Sequence, residues 1–192
     1  MKKNIIIAGV PRSGKTTLCH ELCKRTGYQH VTMDAIIAGF EEVFPQLGID
    51  SNSDAPAMDN LRGISGKIAP FVNAMMESDE YEKFEFGMAI DIYQLLPQDC
   101  AKYINKELCD VYYLGTADAT PEERFGILKK YDDEREYTYY VSDEENMRSC
   151  VDLVEESKLM KIQCELHNLP YYDTTFDRES VIENLLAKIT SV

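Results

Sequence analysis

Gly9-Val10-Pro11-Arg12-Ser13-Gly14-Lys15-Thr16 has the spacing G-x-x-x-x-G-K-[ST], and each fixed position in that pattern has work to do on a polyphosphate. The glycines let backbone N–H groups turn inward around phosphate oxygens, Lys15 reaches the β and γ oxygens, and the Thr16 hydroxyl can hold Mg²⁺. Pro11, Arg12, Ser13 and the following Thr17 complete the predicted cradle, which implies a bound nucleoside triphosphate. A glycine turn capping an ordinary helix is the plainer alternative, and the flanks argue against it. Residues 4–8 form an apolar, β-branched run expected to be a buried strand, and residues 17–25 read as a helix whose N-terminus adds positive potential.

In an open parallel sheet, ligands collect at the carboxyl ends of the strands. That rule selects Asp34 after a predicted strand at 28–33, Asp91 at the end of one at 84–91, the turn at 117–124, and residues 173–175, among them Asp173 and Thr174. Asp91 is placed to hold Mg²⁺ beside Thr16, directly or through water, with capping of the next helix as the structural alternative. Asp34 is placed to take a proton from an attacking hydroxyl or to orient metal-bound water; its alternative is the N-cap of a helix starting at Ala35. A migrating phosphoryl group needs more positive charge than Lys15 supplies. Arg124, Lys129, Lys130, Arg135 and Arg148 cluster on and after a capped helix; Arg124 and Arg135 are the candidates to close on the phosphates. On the acceptor side, Arg62 and Lys67 are the only bases between Arg25 and Lys83. An anionic acceptor would use one of them, and a neutral hydroxyl acceptor would need neither.

The elements that must hold these residues follow from periodicity and punctuation. After the second strand come a helical pattern from Ala35 to Pro45, a polar segment at 49–56, a helix at 57–76 and a charged connection at 78–83. Further helices are expected at 97–108, after Thr120, after Ser142 and at 178–189, with strands at 110–115 and 169–173. Thr120-Pro121-Glu122-Glu123 and Ser142-Asp143-Glu144-Glu145 are capping-box starts, and Asp177 caps the last helix. Five short strands alternating with helices predict an α/β fold, a parallel sheet covered on both faces. The 192 residues suit one domain.

Composition narrows the partners. Twenty Lys and Arg against 34 Asp and Glu give a formal net charge of −14, which disfavours nucleic acid and anionic membranes and favours a small-molecule partner. The six cysteines form no C-x-x-C pair and His20, His30 and His167 are far apart in sequence, so reduced structural thiols are expected, with Cys19 and Cys23 at i,i+4 the one conceivable metal pair. No run is long enough to cross a bilayer, and residues 1–3 are followed by the first strand rather than a leader segment. A cytoplasmic monomer or homodimer is the expectation.

With the loop Ala8-Gly9-Val10-Pro11-Arg12-Ser13-Gly14-Lys15-Thr16-Thr17, Asp34, Asp91 and the basic region 121–148, the chain resembles the P-loop small-molecule and nucleotide kinases, the group of adenylate kinase-like, shikimate kinase-like and chloramphenicol phosphotransferase-like proteins. The resemblance implies a P-loop NTPase three-layer fold with a five-stranded sheet ordered 2-3-1-4-5 and ATP with Mg²⁺. It also implies an acceptor held by the helical region 35–83, a mobile lid at 120–148, and the turn at 173–175 beside the adenine. Arg12 stands where adenylate kinases carry a small residue, and their two-arginine lid spacing is absent, as is a shikimate-type arginine pattern. A regulatory GTPase is disfavoured because Asn105-Lys106-Glu107 ends in Leu108 rather than Asp, and an AAA-type ATPase because Ile92 rather than Glu follows Asp91. An ATP-binding sensor or regulatory P-loop ATPase without phosphate transfer fits the same loop.

Overall fold

A computed structural model describes residues 3–51, 57–78 and 87–191. The chain runs β1 (Asn4–Gly9), α1 (Lys15–Thr26), β2 (Gln29–Thr32), α2 (Met33–Val43), α3 (Ala57–Met76), β3 (Met88–Ile92), α4 (Pro97–Tyr103), β4 (Cys109–Gly115), α5 (Pro121–Lys130), α6 (Asp143–Leu166), β5 (Tyr171–Asp173) and α7 (Arg178–Thr190), with 3₁₀ turns at Pro45–Leu47 and Tyr137–Tyr140. All five strands are parallel and ordered β2-β3-β1-β4-β5, as expected.

Strand β1 lies at the centre of the sheet because every one of its residues is buried. Its side chains alternate between faces. Ile5 and Ile7 pack with Leu18 and Leu22 of α1 and Leu185 and Leu186 of α7, while Ile6 and Ala8 join a larger core with Ile37, Ile64, Ile68, Cys100, Leu153 and Met160 from the helices opposite. Each buried isoleucine contributes about 1.5–3 kcal/mol relative to exposure.

Register aligns the functional edge. Ile7 pairs with Asp91 and Thr32 with Asp91 across β3, Gly9 pairs with Leu114, and Gly115 pairs with Asp173. The carboxyl ends of all five strands therefore converge on the loop after β1.

Several boundaries differ from expectation for local reasons. The fourth helix stops at Tyr103 rather than Leu108. There the Asn105 side chain accepts from Glu107 N–H at 3.0 Å and the Asn105 N–H donates to Asn73 at 2.8 Å, so the backbone finds non-helical partners. Helix α2 begins at Met33 with Thr32 as its N-cap, so Asp34 sits inside the first turn and is not a cap. Both predicted capping boxes are formed. The polar segment lies largely, and the charged connection almost wholly, outside the described residues, as does the start of the expected third strand at 84–86.

Gly9 is a backbone requirement. Its φ is 128°, and a Cβ there would lie 1.9 Å from the Leu114 carbonyl oxygen on β4. Gly9→Ala should therefore lower unfolding free energy by more than about 3 kcal/mol, because positive-φ strain adds to a backbone clash that no rotamer relieves. Urea denaturation followed by circular dichroism measures this; a loss below about 1 kcal/mol would contradict the close approach.

Candidate functional site: a backbone cradle with carboxylates at its edge

The loop between β1 and α1 is held by its carbonyls. Val10 O accepts from Ser13 Oγ and from Lys15 Nζ, both at 2.9 Å. Pro11 O and Arg12 O accept from the two terminal nitrogens of Arg124, at 2.5 and 3.3 Å. Ser13 O accepts from Thr174 Oγ1 at 3.1 Å, and Gly14 O from Leu18 N–H at 3.0 Å. In a trans peptide, C=O and the following N–H point in opposite directions. Pinning the carbonyls of Pro11, Arg12, Ser13 and Gly14 to one side aims the N–H groups of Arg12, Ser13, Gly14 and Lys15 to the other. Left-handed backbone at Arg12, φ 60°, and Gly14, φ 104°, makes the turn, and α1 begins with no side-chain cap, leaving the N–H groups of its first turn available. The result is a concave array of donors that fits phosphate oxygens.

Beneath it, Thr16 Oγ1 donates to Asp91 Oδ2 at 2.5 Å. Asp91 is buried at 6% exposure and does not cap a helix; it lies within β3. Burial pushes its pKa up, but His30 (Nε2 at 3.8 Å from Oδ2), the Lys15 charge and the Thr16 hydroxyl outweigh that and hold it below the ordinary value. Burial pushes the Lys15 ammonium down, opposed by the charges of Asp91 and then Asp34. Lys15, Asp91 and Asp34 thus share one electrostatic neighbourhood. Among the described residues no group of three or more His, Cys, Asp or Glu forms a metal site. A hydroxyl and one carboxylate oxygen do suit Mg²⁺, which takes most of its ligands from phosphates and water.

Asp34 is exposed and accepts from Gln94 Nε2 at 2.9 Å. Beside it the Tyr93 hydroxyl donates to Glu156 of α6 at 2.9 Å.

The basic residues are distributed differently from expectation. Arg124 is fully buried and braces the loop from behind, its guanidinium pushed down to about 10 by burial; it does not face solvent as a lid arginine would. Arg12 also turns away from the cradle. It donates to Tyr131 O at 2.8 Å and pairs with Asp132 at 3.5 Å and with Glu136, tying the loop to the segment after α5. Arg135 is mostly solvent-exposed and pairs with Asp133; Lys129 and Arg148 pair with Asp143 and Glu144 on the surface. Arg62 pairs with Asp59 at 2.7 Å on the exposed side of α3, and Lys67 donates to the Gly48 carbonyl, both in solvent-exposed positions.

Asp173 and Thr174 serve the scaffold. Asp173 accepts from Asp118 N–H at 3.1 Å and Thr175 N–H at 2.9 Å, while Thr174, at 1% exposure, bridges Ser13 O and Gly115 O. The adjoining turn does border an opening. A cavity of about 330 Å³ lies between α5 and the start of α7, lined by Gly126, Ile127, Tyr131, Thr175, Phe176 and Arg178. The Arg178 guanidinium stacks 4.2 Å from the Tyr131 ring centroid and donates to Thr17 Oγ1 at 3.0 Å. It also lies against Gly14, where an added Cβ would meet its Nε at 3.0 Å. The cavity therefore adjoins the cradle, and Glu123, Lys130 and Glu179 add charge to its aromatic and aliphatic lining.

No protein-family model and no curated protein matches the chain. Solved structures do match in fold. A shikimate kinase from Bacteroides thetaiotaomicron aligns at TM-score 0.53 and 15% identity, covering 99% of each chain. A gluconokinase from Sinorhizobium meliloti aligns at 0.52 and 12%, covering 99% of this chain and 93% of that one, and a sugar kinase from Janibacter at 0.51 and 15%, covering 97% and 94%. The fold is that of the P-loop small-molecule kinases. At these identities the likeness concerns the fold alone.

Within that P-loop kinase fold, sequence reasoning missed Gln94, Tyr93, Glu156, His30 and Arg178. Gln94 and Tyr93 follow β3 by one or two positions, so the strand-end rule could have found them. His20 and His30, distant in sequence, meet edge to face at 4.9 Å, a contact that only the pairing of α1 with β2 creates.

Two outcomes follow from this geometry. Arg124→Met should cost about 2–4 kcal/mol in urea unfolding by stranding two loop carbonyls, and should weaken nucleotide binding measured by calorimetry; unchanged values of both would remove Arg124 as the brace. The folded state favours ionised Asp91. Its stabilising contribution is thus complete above the ordinary pKa of 3.8 and is lost as pH falls through the lower folded-state value. Asp91→Asn should flatten the dependence of urea midpoint on pH below about pH 4; an acid limb as steep as the wild type's would contradict the assignment.

Proposed function

We propose that the chain is an ATP- and Mg²⁺-dependent phosphotransferase that moves the γ-phosphoryl group to a hydroxyl of a small metabolite. The observation that carries this reading is the exposed Asp34 carboxylate, near enough to Lys15 for its charge to act on the ammonium, at the rim of a donor-lined cradle whose threonine meets a buried aspartate. A cradle alone would bind nucleotide; an accessible carboxylate beside it supplies a base.

In this reading the loop N–H groups and Lys15 bind the β and γ phosphates, and the cavity between α5 and α7 receives the base. Thr16 and Asp91 would hold magnesium, which supplies positive charge for the phosphate oxygens. Asp34 accepts the proton of the attacking hydroxyl. The acceptor oxygen forms its bond to the γ phosphorus while the bond to the β–γ bridging oxygen breaks, and that electron pair leaves with ADP. Lys15 offsets the charge that builds on the leaving oxygens. Gln94 holds Asp34 in place through its Nε2.

Lys15→Ala should abolish measurable nucleotide binding or turnover. Asp34→Ala should lower label transfer from γ-labelled ATP to a metabolite panel by about 10²–10⁴-fold, with ATP affinity retained in calorimetry. Turnover and affinity both surviving Lys15→Ala would sink the proposal. ATP binding without transfer to any acceptor would instead favour a nucleotide sensor.

A further inference from the structure

Far from the cradle, at the other end of the sheet, three buried free thiols gather around one ammonium. Cys109 opens β4 and pairs with Asn4 at the start of β1, whereas the cradle follows the opposite ends of those strands. Cys100 of α4 and Cys164 of α6 are fully buried, and Cys100 lies within electrostatic reach of both Cys109 and Cys164. From the turn before β4, Lys106 Nζ donates to Cys100 Sγ at 3.0 Å, and its charge acts on the other two thiols as well. Phosphoryl transfer uses none of these groups.

The thiols do not converge as a metal site among the described residues, which leaves oxidation as their chemistry, and they are not equivalent towards it. Burial pushes Cys109 and Cys164 up to about 12, so both stay protonated and are poor nucleophiles. Cys109 is also engaged, donating to Asn105 O at 3.6 Å. Among the described residues, Cys100 is the one thiol of the three with a cation at hydrogen-bond distance. Its cover on that side is an exposed lysine, and the contact is only partly buried, so a small oxidant meets the Lys106 side chain there and not the core. A nitrogen held 3.0 Å from sulfur is already at near-attack distance.

We propose that Cys100 and Lys106 form an oxidative modification site at which hydrogen peroxide joins Cys100 Sγ to Lys106 Nζ as a sulfenamide. The sulfur lone pair takes one peroxide oxygen as the O–O bond breaks, and the departing hydroxide takes a proton from the ammonium. Sulfenic acid, a neutral amine and water result. The amine lone pair then attacks sulfur, the S–O bond breaks, and the leaving hydroxide collects a proton from nitrogen as a second water. Sulfur gives up two electrons and the peroxide gains them. A thiol is the usual partner of a sulfenic acid, but here both neighbouring thiols are protonated while the amine is in contact. The new bond ties α4 to the turn before β4, and an added thiol reverses it by attack at sulfur. None of this depends on the phosphotransferase reading.

Peroxide treatment of the intact protein, followed by intact mass and tryptic mapping, tests this. The treated protein should lose two hydrogens and resist trypsin after Lys106. Because trypsin also cuts after Lys102, the peptide holding Cys100 and the one holding Lys106 separate unless bonded; they should appear joined, and dithiothreitol should part them. Lys106→Arg keeps the charge and removes the amine at an exposed position, leaving the core intact, and should lower the cross-link by at least about tenfold. A loss of two hydrogens that persists in Lys106→Arg would mark a disulfide of Cys100 with Cys109 or Cys164 and overturn the proposal. Oxygen retained on Cys100 without a link, a linked product that keeps oxygen, or no reaction at all would overturn it equally.

Discussion

The site depends on how the carbonyls of one short loop are occupied. A phosphate cradle needs several N–H groups aimed at one point, and backbone left to itself would bury or scatter them. Here the carbonyl of each peptide from Val10 to Gly14 has a donor behind it: Ser13 and Lys15, Arg124, Arg124 again, Thr174, and Leu18 in turn. Peptide planarity converts that outer set of bonds into an inner set of free donors. The most expensive member is Arg124, a guanidinium taken fully out of water with no carboxylate among its hydrogen-bond partners. Two carbonyl dipoles offset only part of that desolvation, and the charge left over adds to the positive potential behind the loop. An anion in the cradle would feel Arg124 without touching it.

The braces come from three separate parts of the chain, and the sheet brings them together. Helix α5 supplies Arg124 one turn after a capping box at Thr120 and Glu123, whose bonds of about 1 kcal/mol set where the helix begins. The segment after β5 supplies Thr174, which bonds to Gly115 at the end of β4 as well as to Ser13. Gly9 lets β1 approach β4 so closely that a single methyl group would strike Leu114. Without that approach, the loop and its braces would not meet. Arg12 links the same loop outward to Tyr131, Asp132 and Glu136, so the segment expected to act as a lid is tied to the peptide that would contact phosphate.

The parts legible from sequence were those governed by local rules. Apolar runs marked the buried strands, turn chemistry marked the caps, and the glycine pattern marked the cradle, because each depends on residues within a few positions of one another. Asp91 was legible for the same reason, as the polar residue closing an apolar strand. The basic residues were not. Whether Arg124 faces solvent or the loop is decided by the packing of α5 on α6 beside the loop after β1, and Arg62 meets Asp59 one turn away on an exposed helix face. Charge in a sequence shows how many cations there are; partner geometry decides which can act. Gln94 was overlooked because an amide carries no charge, although a buried amide with one end bound is as restrictive as an ion pair.

These arrangements bring charges of both signs into one small site. Behind the loop, Lys15, Arg124 and the α1 N-terminus concentrate positive charge where phosphate would lie, and the Asp91 and Asp34 carboxylates act on that same Lys15 ammonium from the ends of β3 and β2. In a chain with a net charge of −14, a small island of positive potential surrounded by negative surface admits polyanions chiefly where several donors converge.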